Sequence, residues 1–242
     1  MPLFGIFIIG LFIGSFYNVV ALRTLTKESI AFPPSHCTSC NHRLYPQDLV
    51  PVFSYIFLKG RCRYCKEKIS PMYLIGELLT AFSFAISLWH FGFTAEWGIT
   101  LIFLSVLICS SVTDLKEKIV PNGFIIFGVI STIILRAIYS ENFWSYIAGG
   151  VMAFLLMLLI YTFSGGKMGG ADVKIYGLIG LNLGFYNAVL SLLISCLSCS
   201  IIMVPLIYFK KLSRKVEIPF VPFITIGVLG VYIANNLGFS II

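Results

Sequence analysis

Charged residues are scarce in this chain of 242 residues: they make up 11% of it, whereas 58% of its residues are hydrophobic. A soluble domain usually carries about 25% charged residues, so the composition argues against a protein surrounded mainly by water. Long apolar runs recur from end to end without polar alternation, which argues against an outer-membrane β-barrel. The GxxxxGK[ST] phosphate loop and the GxGxxG dinucleotide fingerprint are both lacking. What remains is an all-α integral membrane protein.

Eight apolar runs are predicted to be transmembrane helices, because a bilayer span needs roughly 17–25 apolar residues. The first run lacks a basic start and a small-residue cleavage site, so we expect a retained span and not a signal peptide. The predicted spans are residues 3–22, 73–90, 97–113, 122–139, 143–163, 174–187, 188–209 and 218–239. The expected organisation is a first transmembrane helix (1–22), a polar module rich in cysteine (23–72) and a seven-helix membrane domain (73–242).

Lysine and arginine are confined almost wholly to alternate loops. Sixteen of the 17 lie in residues 23–72, in the loop after Asp114, in the glycine-rich loop around Asp172 and in residues 210–215. Only Arg136 lies in an opposite loop. Loops rich in Lys and Arg stay in the cytoplasm, so these four segments are predicted to be cytoplasmic, with membrane lipid around the spans. Topology therefore accounts for the net charge of +7, and no nucleic-acid partner is expected.

Four of the seven cysteines form two CxxC pairs in the polar module. They are Cys37, Cys40, Cys62 and Cys65. Each pair can supply two thiolates from one tight turn, a spacing typical of a tetrahedral structural zinc site. A pair of disulfides is the alternative, but a cytoplasmic location disfavours it. The sequence therefore predicts a small zinc-type module with four cysteine ligands between the first two spans, with His36 and His42 beside the metal ligands.

Only three aspartates occur in the chain, and two of them lie at predicted membrane edges. Asp114 ends the third span, and Asp172 opens the sixth after a run of glycines. Ionisable residues in spans are costly and indicate function by default. Two carboxylates that meet at low dielectric share one proton, which is the chemistry of aspartic proteases. The sequence does not show that they meet, so two interfacial aspartates that serve topology alone are the alternative.

Two other classes of protein stay open at this point. A proton- or ion-coupled transporter would use intramembrane aspartates to carry charge. Transporter sites usually lie near the midplane of the bilayer, however, and these two aspartates lie at an edge. The other class is a membrane scaffold that zinc stabilises and that has no catalytic activity.

The chain resembles the type IV prepilin peptidase family, also called type IV leader peptidases, over most of its length. The resemblance is carried by Gly14-Ser-Phe-Tyr-Asn18-Val19 with Arg23, the two CxxC pairs, Asp48-Leu-Val-Pro51, Lys59-Gly60-Arg61, Ile69-Ser-Pro71, Tyr73, Glu77 and the surroundings of Asp114 and Asp172. One departure is Ala171, which stands at the second glycine of the family's GxGD motif. An alanine there indicates a negative φ.

The resemblance implies an activity, partners and cofactors. Members cut the basic leader from prepilins and pseudopilins at the cytoplasmic face of the cell membrane, and many methylate the new N-terminal amine with S-adenosylmethionine. We therefore expect an aspartic endopeptidase with Asp114 and Asp172 as its catalytic pair. Structural zinc is expected at the four cysteines, and methylation is associated with their module. The pilus, secretion or DNA-uptake system that is served, the S-adenosylmethionine site and the oligomeric state are left open.

Overall fold

The computed structural model of the protein describes residues 1–165, 168–210 and 218–238, leaving aside the side chains of residues 208–210. Parts of two predicted cytoplasmic loops, residues 166–167 and 211–217, therefore lie outside the described residues. The described ranges form nine α-helices. They are α1 (Pro2–Thr26), α2 (Phe53–Phe57), α3 (Met72–Phe91), α4 (Ala95–Glu117), α5 (Asn122–Tyr139), α6 (Phe143–Phe163), α7 (Gly170–Leu183), α8 (Phe185–Lys210) and α9 (Val221–Asn236).

Each of the eight predicted spans corresponds to one of these helices, so the predicted all-α membrane architecture is confirmed. Six of them, namely α1, α3, α4, α5, α6 and α8, are long and apolar enough to cross a membrane. α7 has 14 residues and α9 has 16. The predicted sixth span, 174–187, is wrong at both ends: α7 begins at Gly170 and ends at Leu183, because Gly184 takes a φ of 77° that interrupts the helix. Glycine adopts such a backbone at little cost.

The chain divides into two compact units, Met1–Ala85 and Ile86–Ile242. The first unit contains α1, the cysteine-bearing module and most of α3. The second contains the end of α3 and the helices α4 to α9. The core of the second unit is apolar and includes Phe103, Leu104, Leu107, Ile108, Ile175, Ile179, Ile224 and Val228. Many large apolar side chains are exposed on the outer helices, as on a surface that lipid covers.

In the first unit, α1 packs closely against α3. A Cβ on Gly10 would lie 2.7 Å from the Cα of Ala81, and a Cβ on Gly14 would lie 2.8 Å from the Cα of Glu77. The cysteine-bearing module is tied to α3 by Val52, whose N–H donates a 2.8 Å hydrogen bond to Oε2 of Glu77. The two glycines of α1 therefore bring this helix next to the residue that anchors the module.

In the second unit, α4 is the central helix. It contacts α5, α7 and α9, and its second half is buried continuously from Val106 to Asp114. Ser111 of α4 and Thr225 of α9 bring their hydroxyl oxygens to 2.8 Å. This arrangement places the cytoplasmic end predicted for α4 beside α7 and the start of α9.

Candidate active site and metal centre

The two CxxC pairs lie in two turns of the same construction. In the first turn, the N–H of Cys37 donates a 3.0 Å hydrogen bond to the carbonyl of His42. In the second turn, the N–H of Cys62 donates a 2.8 Å hydrogen bond to the carbonyl of Glu67. The donor and acceptor are five residues apart in both cases. This local repeat was not predicted from the sequence, although the equal CxxC spacing was its signal.

The two turns bring the four sulfurs together. The Sγ atoms of Cys37, Cys40, Cys62 and Cys65 all lie within 4.8 Å of one another, and those of Cys37 and Cys65 are 3.8 Å apart. Zn–S bonds of about 2.3 Å hold sulfurs about 3.8 Å apart at the corners of a tetrahedron. A disulfide would need about 2.0 Å. The donor set therefore fits a structural zinc ion and not the disulfide alternative.

The backbone of the first turn favours the metal-binding form of Cys37. The N–H of Cys40 points at its sulfur, with a smaller contribution from the N–H of Ser39, and these hydrogen bonds lower the pKa of Cys37 to about 6 against the opposing effect of burial. The thiolate is the form of cysteine that binds metal.

Asp48 braces the second turn. Its Oδ1 accepts a 2.6 Å hydrogen bond from Nε of Arg63, and its Oδ2 accepts one of 3.2 Å from the hydroxyl of Tyr64. Burial by itself would raise the pKa of Asp48, but these hydrogen bonds hold it below its usual value. Asp48 is thus a structural group of the module. Neither His36 nor His42 joins the cysteine cluster in the part of the chain that the structure describes.

The other two aspartates lie in the second unit, at the ends of two neighbouring helices. Asp114 is in the last turn of α4, and Asp172 is in the first turn of α7. Both are buried, with 8% and 7% of their surfaces exposed. The two helices are in contact, and the two carboxyl groups are close enough to repel each other when both are ionised. The structure therefore brings together the two aspartates whose meeting the sequence left open.

Backbone geometry shapes the surroundings of both carboxylates. The N–H of Val221 at the start of α9 donates a 3.0 Å hydrogen bond to Oδ2 of Asp114. A Cβ on Gly169 would lie 3.1 Å from Oδ2 of Asp172, so the glycine leaves room for that carboxylate. The negative φ expected at Ala171 is confirmed, since Ala171 is the second residue of α7. The contact between Val221 and Asp114 was not predicted, because every residue except proline has a backbone N–H and no sequence motif marks this one.

Glycines hold α7 against α6. A Cβ on Gly149 would lie 2.9 Å from the carbonyl oxygen of Gly180, and a Cβ on Gly150 would lie 3.1 Å from the carbonyl oxygen of Gly177. Small residues at a helix interface let the two backbones approach this closely. Because α7 carries Asp172, this packing fixes how far Asp172 lies from the axis of α6.

A helical membrane protein with a pair of buried aspartates and a cluster of four cysteines is the class that these observations define. Residues 8–91 match a family described as the bacterial Peptidase A24 N-terminal domain, and residues 101–204 match the type IV leader peptidase family. The chain is 32% identical over 232 residues to the prepilin leader peptidase/N-methyltransferase of Bacillus subtilis, covering 96% of this chain and 94% of that one. The chain belongs to the type IV leader peptidase family.

A second relative with the same name also matches most of the chain. The prepilin leader peptidase/N-methyltransferase of Pseudomonas aeruginosa is 27% identical over 258 residues, which cover 91% of this chain and 86% of that protein. No solved structure gives a significant match. The comparisons give no support to the transporter interpretation.

Proposed function

We propose that this protein is a membrane aspartic endopeptidase that removes the basic leader from prepilins and pseudopilins, with Asp114 and Asp172 as its catalytic pair. One observation carries the proposal. The two aspartates of the membrane unit are buried at adjoining helix ends, and their carboxyl groups interact electrostatically. The names of the relatives that match nearly the whole chain support this choice of substrate.

Peptide hydrolysis at such a pair uses one ionised and one protonated carboxyl group. The ionised carboxylate takes a proton from water while the water oxygen attacks the peptide carbonyl carbon, and the protonated carboxyl donates to the carbonyl oxygen. As the tetrahedral intermediate collapses, the carboxyl group that took the proton from water gives it to the leaving nitrogen, the C–N bond breaks, and the other carboxylate takes a hydroxyl proton from the intermediate. The pair returns to its starting state. The N–H of Val221 holds the orientation of Asp114 throughout.

Charge distribution supports a cytoplasmic position for this site, in the cell membrane. Asp114 is followed by Lys116 and Lys118, and Asp172 by Lys174. Loops that carry Lys and Arg stay in the cytoplasm. A prepilin whose apolar helix lies in the bilayer, and whose basic leader remains in the cytoplasm, would present its scissile bond at the depth of these two helix ends.

We extend the proposal to N-methylation of the new N-terminus, because the matching relatives carry that activity in their names. Zinc held by the four cysteines would stabilise the module. The methyl donor, S-adenosylmethionine, carries a sulfonium, an ammonium and a carboxylate group, so it is a net cation. An open pocket of about 460 Å³ in the module is lined by Lys59, Arg61 and Lys68 and by no carboxylate among the described residues. That lining does not fit a cationic donor, so no step is assigned to it.

The test is cleavage of a purified prepilin in detergent by the parent and by the Asp114→Asn and Asp172→Asn variants. Each variant is expected to fold normally and to remove no leader, because an amide cannot serve as the ionised member of the pair or donate the proton. Glu117→Gln is the matched control. It removes an exposed carboxylate from the same end of α4 and is expected to cleave at the parental rate.

Either aspartate variant cleaving at the parental rate would disprove the paired mechanism. A transporter or an inactive scaffold would give no cleavage by the parent. Mass spectrometry of the product from the parent reports methylation in the same experiment, because a methyl group adds mass to the new N-terminus only when S-adenosylmethionine is present.

A further inference from the structure

Arg136 is the single basic residue that the sequence places opposite the others, and it is deeply buried. It lies on α5 with 3% of its surface exposed. Its Nη1 donates hydrogen bonds of 2.6 Å to both carboxylate oxygens of Glu96, and its guanidinium carbon lies 3.7 Å from the centre of the Tyr146 ring. These contacts on the edge and the face of the guanidinium fix its plane.

The other amino group of Arg136 reaches the end of α7. Nη2 donates a 2.8 Å hydrogen bond to the carbonyl oxygen of Asn182, the last but one residue of that helix. The final carbonyls of a helix lack intrahelical partners, and a cation is favourable beside them. The side chain of Asn182 donates in turn to Oγ1 of Thr132 on α5 at 3.3 Å. Two residues one turn apart on α5 therefore hold the end of α7.

The residues that Arg136 joins belong to the two helices that carry the aspartates. Glu96 lies in the first turn of α4 and Asp114 in its last turn, whereas Asp172 lies in the first turn of α7 and Asn182 near its end. At 1.5 Å per residue the separations are about 27 Å along α4 and about 15 Å along α7. Arg136 and the Glu96 side chain connect the two far helix ends. The two helices are thus joined at the end opposite the aspartate pair.

α7 has several other contacts along its length. The hydroxyl of Tyr176 donates a 3.3 Å hydrogen bond to Oγ of Ser195 on α8, and the side chain of Leu181 lies against Gly150 of α6. In the first turn, exposed Lys174 donates to Oδ1 of Asn122. The buried guanidinium of Arg136 differs from these contacts because it ties the end of α7 to the start of α4, the helix that carries Asp114.

We propose that Arg136 is a positioning residue for the aspartate pair, and the inference rests on the proposed function. By joining Glu96 to the end of α7, it sets how far Asp172 extends toward Asp114. A displacement of about 1 Å in a catalytic group can cost about a hundredfold in rate. Removing the guanidinium fork loses the contact that ties the end of α7 to the helix of Asp114, so the two aspartates are no longer held at the parental separation.

Arg136→Lys tests this proposal, because lysine keeps the charge but cannot donate to Glu96 and Asn182 in a planar fork. Cleavage rates are divided by the amount of folded protein, which is taken from the monodisperse peak in size-exclusion chromatography. We expect kcat to fall about tenfold to a hundredfold, with KM within about twofold of the parent. The two limbs of the pH–rate profile are expected to move closer together, because carboxyl groups that lie farther apart are less coupled.

Arg23→Lys is the matched control. Arg23 is the other arginine that is buried in the described residues, and it donates to the carbonyls of Ser29, Ile30 and Pro33 in the first unit. The Arg23→Lys variant should keep the parental kcat and the parental pH–rate profile. If Arg136→Lys does not accumulate as folded protein, Glu96→Gln carries the same prediction with a loss of about threefold or more in kcat, since it weakens one charge-assisted contact.

A purely structural Arg136 would lower the yield of folded protein while leaving kcat per folded molecule and the pH profile at parental values, and that result overturns the proposal. An equal loss of kcat in Arg23→Lys overturns it as well. Failure of the proposed function is recognised separately, from leader removal by the Asp114→Asn or Asp172→Asn variant, and does not depend on Arg136.

Discussion

The backbone N–H of Val221 donates a hydrogen bond of 3.0 Å to Oδ2 of Asp114 and so joins the start of α9 to the last turn of α4. The hydroxyl groups of Ser111 and Thr225 connect the same two helices deeper in the unit. One member of the aspartate pair is therefore oriented by a helix that lies more than a hundred residues away in the sequence.

Replacing the amide of Val221 tests this orientation directly. Incorporating the α-hydroxy acid analogue of valine at position 221 converts the N–H to an ester oxygen and leaves the side chain unchanged. A hydrogen bond to a charged group contributes about 1.5–3 kcal/mol, so we expect kcat for leader cleavage to fall about tenfold or more. Val221→Ala keeps the N–H and should cleave near the parental rate. Equal rates for the ester and the parent would show that the contact has no catalytic effect.

Metal removal is expected to unfold the cysteine-bearing module before the membrane helices. A module of this size buries little apolar surface, and metal ligation offsets that deficit. Limited proteolysis with and without a strong chelator should show new cuts between residues 27 and 71 while α4 to α9 stay intact. Equal resistance of the module in both conditions would count against a structural metal.

Zinc content should depend on the cluster cysteines alone. We expect inductively coupled plasma mass spectrometry to find about one zinc ion per chain in the parent and little zinc in the Cys62→Ser variant. Cys196→Ser is the control, because Cys196 is exposed on α8 and lies outside the cluster. Retention of zinc by Cys62→Ser would show that Cys62 is not a ligand.

Asp48 should stabilise the module at neutral pH and lose that effect in acid. Its pKa is lower in the folded chain than in the unfolded chain, so its contribution is full above the unfolded value of about 3.9 and disappears as the pH falls through the folded value. The difference in unfolding free energy between the parent and Asp48→Asn should be about 1 kcal/mol at pH 7 and shrink below about pH 4. Urea-dependent proteolysis of the module measures it, and a difference that is independent of pH would contradict the role of the Asp48 charge.

The glycine contact between α6 and α7 should not tolerate a methyl group. Gly149→Ala places a Cβ at 2.9 Å from the carbonyl oxygen of Gly180, and we expect about 1–3 kcal/mol of destabilisation together with loss of leader cleavage. Gly98→Ala is the control, because a Cβ there meets nothing within 4 Å. It should stabilise α4 by up to about 1 kcal/mol. Thermal denaturation in detergent compares the two, and similar melting temperatures would mean that the helices separate at little cost.

The helices could be predicted because apolar composition and length report directly on membrane spans. The boundary between α7 and α8 could not, because the residues on both sides of it are apolar and the break depends on the φ of Gly184. The cysteine cluster followed from ligand spacing, which local turns fix within a few residues. Asp114 and Asp172 were found as candidates by their rarity, but their meeting depends on the packing of α4 against α7, which a single sequence does not encode visibly.

The sequence showed that Arg136 is the one basic residue outside the predicted cytoplasmic loops, but it did not show which residues Arg136 contacts. Glu96 and Asn182 stand 40 and 46 residues away from it, and neither belongs to a recognisable motif. One of the two contacts is made to a backbone carbonyl, which every residue possesses. The same limit applies to Val221, since its contribution to the site is a backbone N–H.

The shortness of α7 has a consequence for what must surround it. A helix of 14 residues is about 21 Å long, whereas the hydrocarbon core of a bilayer is about 30 Å thick. Its ends therefore leave non-helical backbone at membrane depth, which is tolerated only where protein or a water-filled cavity encloses it. The helices α4, α5, α6 and α8 contact α7 and bury most of its residues. The enclosure of α7 by its neighbours is thus what allows the chain to stop short of the full bilayer thickness beside Asp172.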